Sequence, residues 1–261
     1  MTRLQDAGRA PALFDREVAV VSGAGQGLGA TFARALAESG CRVVAVDIHD
    51  APVQALAATL RDEGCACVGR ALDVRDAGAC RAFAAEICEQ VGPIGVLVNN
   101  AGVTTRAQLD DEQFIEEIDR VMAVNLKGVL NLTRAALPQL KETRGTIVNI
   151  ASVAALLASF ASIPYAASKG AVAQATKFLA RDLAPFGVRV NALAPGFVLT
   201  PLTSDLREGA SSRMQRSAER TLLKRVAEPA DMVGPLLFLA SHMSRYVTGL
   251  VLPVDGGYTA N

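Results

Sequence analysis

Tyr165 and Lys169 stand four residues apart, the spacing that puts two side chains on one face of a helix. A free tyrosine titrates near ~10 and is a poor base at neutral pH. A neighbouring ammonium favours the phenolate, so such a pair is suited to exchanging a proton with an alcohol or carbonyl oxygen. Ser152 lies thirteen residues before Tyr165, just beyond the apolar run Thr146 to Ile150. Its hydroxyl there can bond a substrate oxygen and stabilise charge developing on it. The chemistry open to these three is proton transfer at a C–O group.

A second constellation lies near the start of the chain. Ser22-Gly23-Ala24-Gly25-Gln26-Gly27-Leu28-Gly29 follows the apolar run Val18 to Val21 and opens a helical pattern. Glycines in such a turn let the backbone approach a pyrophosphate, which the helix N-terminus then faces with free N–H groups. The predicted contacts are Gly23, Gln26, Gly27, Leu28 and Gly29. The next apolar run ends in Asp47-Ile48, eighteen residues beyond Gly29 at the carboxylate. An acid at that place accepts both adenosine ribose hydroxyls and repels a 2′-phosphate. No Arg or Lys between Ser22 and Thr31 offsets that repulsion, so the expected cofactor is NAD(H) and not NADP(H).

The elements that must carry these groups alternate along the chain. Apolar runs occur at Val18–Val21, Val43–Val46, Ala66–Val74 (the weakest), Val96–Val98, Thr146–Ile150, Val188–Val190 and Leu250–Leu252. They are continuous, as in strands buried on both faces of a parallel sheet. Between them, apolar spacing near 3.6 predicts helices over 28–38, 52–62, 79–90, 111–137, 165–183 and 229–241. Pro138 should stop the fourth, and Pro229 fits the first turn of the last. Such alternation predicts an α/β chain folded as one Rossmann-type domain over residues 1–261. Its sheet should be doubly wound, seven-stranded and mostly parallel, with helices on both faces. Residues 200–227 break the rhythm and read as a substrate lid.

With these motifs in order, nearly the whole chain resembles a classical short-chain dehydrogenase/reductase. The glycine frame of that family is met by Gly23, Gly27 and Gly29, with Ser22 where the family usually has Thr. The resemblance implies that Asp73 and Val74 hold the adenine and that Asn99-Asn100-Ala101-Gly102 lines the cofactor and steadies the central sheet. It implies that Pro195-Gly196-Phe197-Val198-Leu199-Thr200 holds the carboxamide and that Val254-Asp255-Gly256-Gly257 is the usual ending. The implied catalytic set is Asn125, Ser152, Tyr165 and Lys169. In it Tyr165 exchanges the proton, Lys169 also binds the nicotinamide ribose, and Asn125 holds a water that relays the proton outward. The activity implied is interconversion of a secondary alcohol and a ketone. A 3-oxoacyl-thioester reductase of the same family and an NAD(H)-binding sensor or scaffold stay open. A homotetramer, or a homodimer, is implied as well.

The substrate should sit between Ser152, Tyr165 and the 200–227 segment, against Val153, Ala154, Phe160, Phe197, Leu202, Leu206 and Met214. Such walls suit an apolar or mixed alcohol and ketone better than a free sugar. The segment's six cations, Arg207, Arg213, Arg216, Arg220, Lys224 and Arg225, either meet an anionic substrate group or form solvated helix faces, the reading favoured here. The 261 residues carry 26 basic and 26 acidic side chains, and 51% are hydrophobic. That balance supports a large core and argues against a nucleic-acid surface, which needs clustered cations. Five cysteines without a C-x-x-C pair and two histidines predict a reducing, cytoplasmic setting and no metal site. The charge-free stretch 145–168 is too polar for a membrane span, and the N-terminus lacks the apolar core of a signal peptide.

Overall fold

The computed structural model describes residues 13–15, 17–204 and 210–261. The chain runs β1 (Val18–Ser22), α1 (Gly27–Glu38), β2 (Arg42–Asp47), α2 (Asp50–Asp62), β3 (Cys67–Ala71), α3 (Ala77–Gln90) and β4 (Ile94–Asn99). It continues through α4 (Phe114–Met122), α5 (Val129–Thr143), β5 (Thr146–Ile150), α6 (Ile163–Leu183) and β6 (Arg189–Pro195). Two helices, α7 (Pro201–Ser204) and α8 (Ala210–Arg220), precede α9 (Val233–Ala240) and β7 (Val251–Val254). The seven strands form one all-parallel sheet in the order β3-β2-β1-β4-β5-β6-β7, a Rossmann-like doubly wound arrangement.

Hydrophobic burial on both faces holds the sheet. Every residue of β1, β4 and β5 is buried, which is why their sequence runs are continuous. One core, with Phe32, Leu36 and Leu236, lies on one face, and a second, with Ile87, Leu132 and Leu140, lies on the other. Each such side chain contributes about 1.5–3 kcal/mol of transfer free energy. Between the faces runs a polar ladder. Asn99 Nδ2 donates to Thr133 Oγ1 at 3.0 Å and to Asn149 Oδ1 at 2.9 Å, and Asn149 Nδ2 donates to Thr176 Oγ1 at 2.9 Å. It ties α5 and α6 to the middle of the sheet.

Two boundaries differ from expectation for physical reasons. Pro138 does not stop its helix but lies inside α5. The turn beyond it is held from outside: Gln139 accepts from Ile94 N at 2.9 Å and donates to the Ala84 carbonyl at 2.7 Å. Tertiary bonds thus offset the backbone bond that proline cannot make. The expected 111–137 helix is also interrupted. It opens into a π-turn at Ala123–Gly128 before α5 begins. Strand β6 runs five residues past Val190. Its apolar run is masked by Asn191, whose side chain bonds Val247 O and Leu250 N at 3.0 Å each.

Among the described residues no helix is long and apolar enough to cross a membrane, and no group of three or more His, Cys, Asp or Glu could hold a metal ion. Cys41, Cys67 and Cys80 are buried, and burial pushes the Cys67 and Cys80 thiols up to about 11. Cys88 is exposed.

Candidate active site

The strand order reverses between β1 and β4, and ligands of open α/β sheets bind beyond the carboxyl ends of the strands at such a point. A cleft of about 440 Å³ opens there. Gly23, Gln26, Gly27, Leu28, Gly29, Asp47, Ile48, Asp73, Val74 and Ala101 line one end, and Gly102 lies farther along, beside Lys169. Ser152, Tyr165, Lys169, Pro195, Gly196, Val198, Thr200 and Leu202 line the other.

The glycine turn is stitched to the loop after β4. Ser22 Oγ accepts from Asn100 N at 3.0 Å and Ala101 N at 3.1 Å, so the hydroxyl is what this position requires. Asn100 Nδ2 donates to the carbonyls of Ser22 and Gly23 at 2.9 and 3.1 Å. The contact is close: a Cβ on Gly23, at φ +65°, would lie 2.8 Å from Ala101 Cα. The N-terminus of α1 has no side-chain cap and no acidic residue in its first turn, whereas Asp76 caps α3. Free N–H groups on a glycine-lined turn fit the pyrophosphate of a dinucleotide.

Asp47 is held by two backbone donors, Gly25 N on Oδ2 and His49 N on Oδ1, each at 3.1 Å. The carboxylate therefore has a fixed aim at the cleft. Asp73 is clamped by Arg75, whose Nη2 lies 2.6 Å from Oδ2, and this ion pair lowers the Asp73 pKa. Arg75 also lines the cleft and was not expected there; only a cation two residues from the acid could have signalled it.

At the reacting end Ser152 begins a 3₁₀ turn, Val153–Ala155, and its Oγ accepts from Ala154 N at 3.1 Å. Lys169 is buried; Nζ donates to the Ile150 carbonyl at 2.7 Å and lies 5.7 Å from the centre of the Tyr165 ring. Desolvation raises the Tyr165 pKa and exceeds the lowering from its hydrogen bond with Ser152. The same burial depresses Lys169 to about 8. Between about 8 and the ordinary lysine value of 10.5, the unfolded chain holds more protons at this group than the folded one. Its contribution to stability therefore rises with pH across that window. Denaturant unfolding of wild type and Lys169→Met at pH 7.5 and 9.5 should show this rise in wild type relative to the variant; parallel profiles would contradict it.

Several expected residues do not line the cleft. Asn99 belongs to the polar ladder under the sheet, and its neighbour Asn100 lines the cleft instead. Asn125 lies behind the wall, fully buried, with its amide committed to Val103 and Ser168. Val153 and Ala154 turn into the core. Phe160 is 45% exposed and stacks under Arg216, 5.3 Å from the guanidinium. Phe197 faces a separate cavity of about 170 Å³, because Val198 takes the cleft side of the chain after β6. Met214 is partly exposed and also off the cleft, and Leu206 lies outside the described residues. Apolar residues not singled out from sequence, Val103, Ile150 and Ala151, complete the wall.

The described cations of the 200–227 segment are mostly engaged. Arg225 pairs with Asp231 at 2.6 Å, Lys224 Nζ donates to the Glu219 carbonyl at 2.8 Å, and Arg220 stacks on Tyr258 at 4.5 Å.

A glycine turn, an acid at the end of β2 and a Ser–Tyr–Lys cluster in one cleft define a nucleotide-dependent dehydrogenase/reductase acting on CH–OH groups. Residues 23–259 match the family profile described as enoyl-(acyl carrier protein) reductase. Galactitol 2-dehydrogenase (L-tagatose-forming) of Cereibacter sphaeroides is 41% identical over 253 residues, 94% of this chain and 96% of that protein. The 3-oxoacyl-(acyl-carrier-protein) reductase of Thermotoga maritima is 37% identical over 245 residues, 94% of this chain and 98% of that one. Among solved structures, a gluconate 5-dehydrogenase from Burkholderia cenocepacia, in complex with NADP and tartrate, superposes with a TM-score of 0.91. It is 37% identical and the match covers 96% of this chain and 98% of that one. The chain belongs to the short-chain dehydrogenase/reductase family.

Proposed function

We propose that this protein is an NAD(H)-dependent oxidoreductase that interconverts a small secondary alcohol and its ketone. The observation that carries the reading is the convergence of Ser152, Tyr165 and Lys169 on the cleft that the glycine turn opens. The dinucleotide, when bound, supplies a hydride acceptor or donor at its nicotinamide ring. The residues do the rest. Ser152 bonds the substrate oxygen and holds it beside the phenol. Tyr165 takes the proton from an alcohol or returns one to a carbonyl. Lys169 orients the ring and carries charge next to it, and Gly102, Pro195 and Gly196 give backbone walls to the nicotinamide end.

The cofactor preference rests on Asp47. Its fixed carboxylate suits two ribose hydroxyls and repels a 2′-phosphate, and Arg75, a cation of the same lining, is paired with Asp73. Asp47→Ala should narrow the ratio of kcat/KM for NAD over NADP by about tenfold or more, because the repulsive charge is gone. An unchanged ratio would remove Asp47 from cofactor choice.

Val103, Ile150, Ala151, Val198 and Leu202 favour a substrate with an apolar body. The 200–227 segment acts as its lid. The similarity to a 3-oxoacyl reductase supports a second reading, a 3-hydroxyacyl thioester as substrate. Initial rates on neutral alcohols and 3-hydroxyacyl thioesters separate the two. A cytoplasmic homotetramer accompanies the main reading. Ile115 on α4, Leu130 on α5, and Ile163 and Phe178 on α6 are exposed apolar residues suited to burial against a second copy. Light scattering on the eluted protein tests this, and a monomer would contradict it.

A further inference from the structure

Ser168 precedes the catalytic lysine and is fully buried, yet no step of the chemistry uses it. Its hydroxyl sits at a junction. Asn125 Nδ2 donates to Ser168 Oγ at 2.9 Å, and Ser168 Oγ donates to the Tyr165 carbonyl at 2.7 Å. The rest of the Asn125 amide grips the loop after β4: Oδ1 accepts from Val103 N at 2.8 Å and Nδ2 donates to Val103 O at 3.0 Å. Both N–H groups of Asn125 and one lone pair of its carbonyl are thereby used, as are the single proton of Ser168 and one of its lone pairs. The chain of bonds runs from the cleft-lining loop, through the π-turn, to the backbone of the tyrosine itself. A serine bonding a carbonyl one turn back is ordinary in helices. A serine that also receives a buried amide from another element is a tie between them.

We propose that Ser168 is a positioning residue: its hydroxyl sets Asn125, and through it Gly102 and Val103, against Tyr165 and Lys169. The inference rests on Tyr165 as the acid/base group. Gly102 explains why the register matters. A Cβ built there would lie 3.4 Å from Asn125 Oδ1 and 3.5 Å from Lys169 Nζ, so this stretch of loop is the spacer between the two polar groups. Lys169 is pinned from the other side by the Ile150 carbonyl at 2.7 Å. Without the Ser168 hydroxyl, one N–H of the fully buried Asn125 loses its acceptor. Asn125 must then turn, and its grip on Val103 turns with it.

The test compares Ser168→Ala, Ser168→Thr and Ser168→Cys with wild type. Ser168→Ala should lower kcat by about tenfold or more while NADH dissociation, followed by fluorescence titration, changes by less than about threefold. The pH profile of kcat should shift, and amide exchange in peptides spanning 100–106 should quicken. Ser168→Thr, which keeps the hydroxyl, should recover most of kcat; Ser168→Cys serves if the alanine variant does not fold. Adding Ser168→Ala to Asn125→Ala should cost no more than Asn125→Ala alone, because both break one chain of bonds. A Ser168→Ala enzyme with wild-type kcat, pH profile and exchange overturns the proposal, and so do fully additive losses. A wild type that turns over no alcohol or ketone defeats the functional reading instead. The exchange comparison then still judges the tie.

Discussion

Tyr165→Phe is expected to lose turnover by a factor of about 10²–10⁴, the range for removing a positioned general acid or base. NADH binding should remain close to wild type. The substitution deletes one oxygen and leaves the ring that Lys169 faces at 5.7 Å. The upward shift of the Tyr165 pKa adds a direction. A phenol held protonated at neutral pH is ready to donate to a carbonyl, so ketone reduction should be efficient near neutrality and alcohol oxidation should gain as pH rises. That gain should vanish with the hydroxyl. Initial rates in both directions from pH 6 to 10, with a fluorescence titration of each protein, measure all of this. A variant that keeps wild-type rates removes Tyr165 from the mechanism; one that loses NADH binding makes it a structural residue.

Gly29→Ala should be as damaging by a different route. A Cβ at this position would lie 2.0 Å from the Gly23 carbonyl oxygen and 2.5 Å from Asn100 Nδ2. The first neighbour is backbone, and the second is the group that ties the turn to the loop after β4 at 2.9 and 3.1 Å. Relief requires α1 to back away from the turn, which pulls its N–H groups off the pyrophosphate position. Dinucleotide affinity should drop by about 100-fold or more, and stability by about 1–3 kcal/mol from overpacking. Gly27→Ala is the contrast. Its Cβ would meet no protein atom closer than 3.5 Å, so the fold itself bears only the cost of a positive φ (+55°), about 1–2 kcal/mol. Calorimetric binding of Gly29→Ala and thermal melting of both variants check this; a Gly29→Ala protein with wild-type dinucleotide affinity would contradict it.

What could be read from residues alone followed from how each feature is encoded. The sheet order's parallel strands were legible because burial on both faces leaves unbroken Val and Ile runs, as in β1 and β5. The full length of β6 was not, because Asn191 interrupts its run while bonding the turn before β7. Pro138 misled because a local rule was overridden by Gln139, whose partners on β4 and α3 are distant in sequence. The glycine turn and the strand-end acids, which arrive with backbone geometry, line the cleft. Several residues named for the substrate wall do not line it. Val153 and Ala154 lie in a single 3₁₀ turn and Phe197 in the loop after β6, where no period of 2 or 3.6 tells inward from outward. The two asparagines after β4 divide for a related reason. Asn99 ends the strand and points into the sheet's polar ladder, and Asn100, one residue on, faces the turn.

The most direct test of NAD-linked alcohol chemistry is nicotinamide absorbance in initial-rate assays of the wild type. Secondary alcohols, diols and 3-hydroxyacyl thioesters would be run with NAD and NADP side by side. Turnover on a secondary alcohol is expected, faster with NAD than with NADP. Tight NADH binding with no turnover of any class, or a clear preference for NADP, would contradict it.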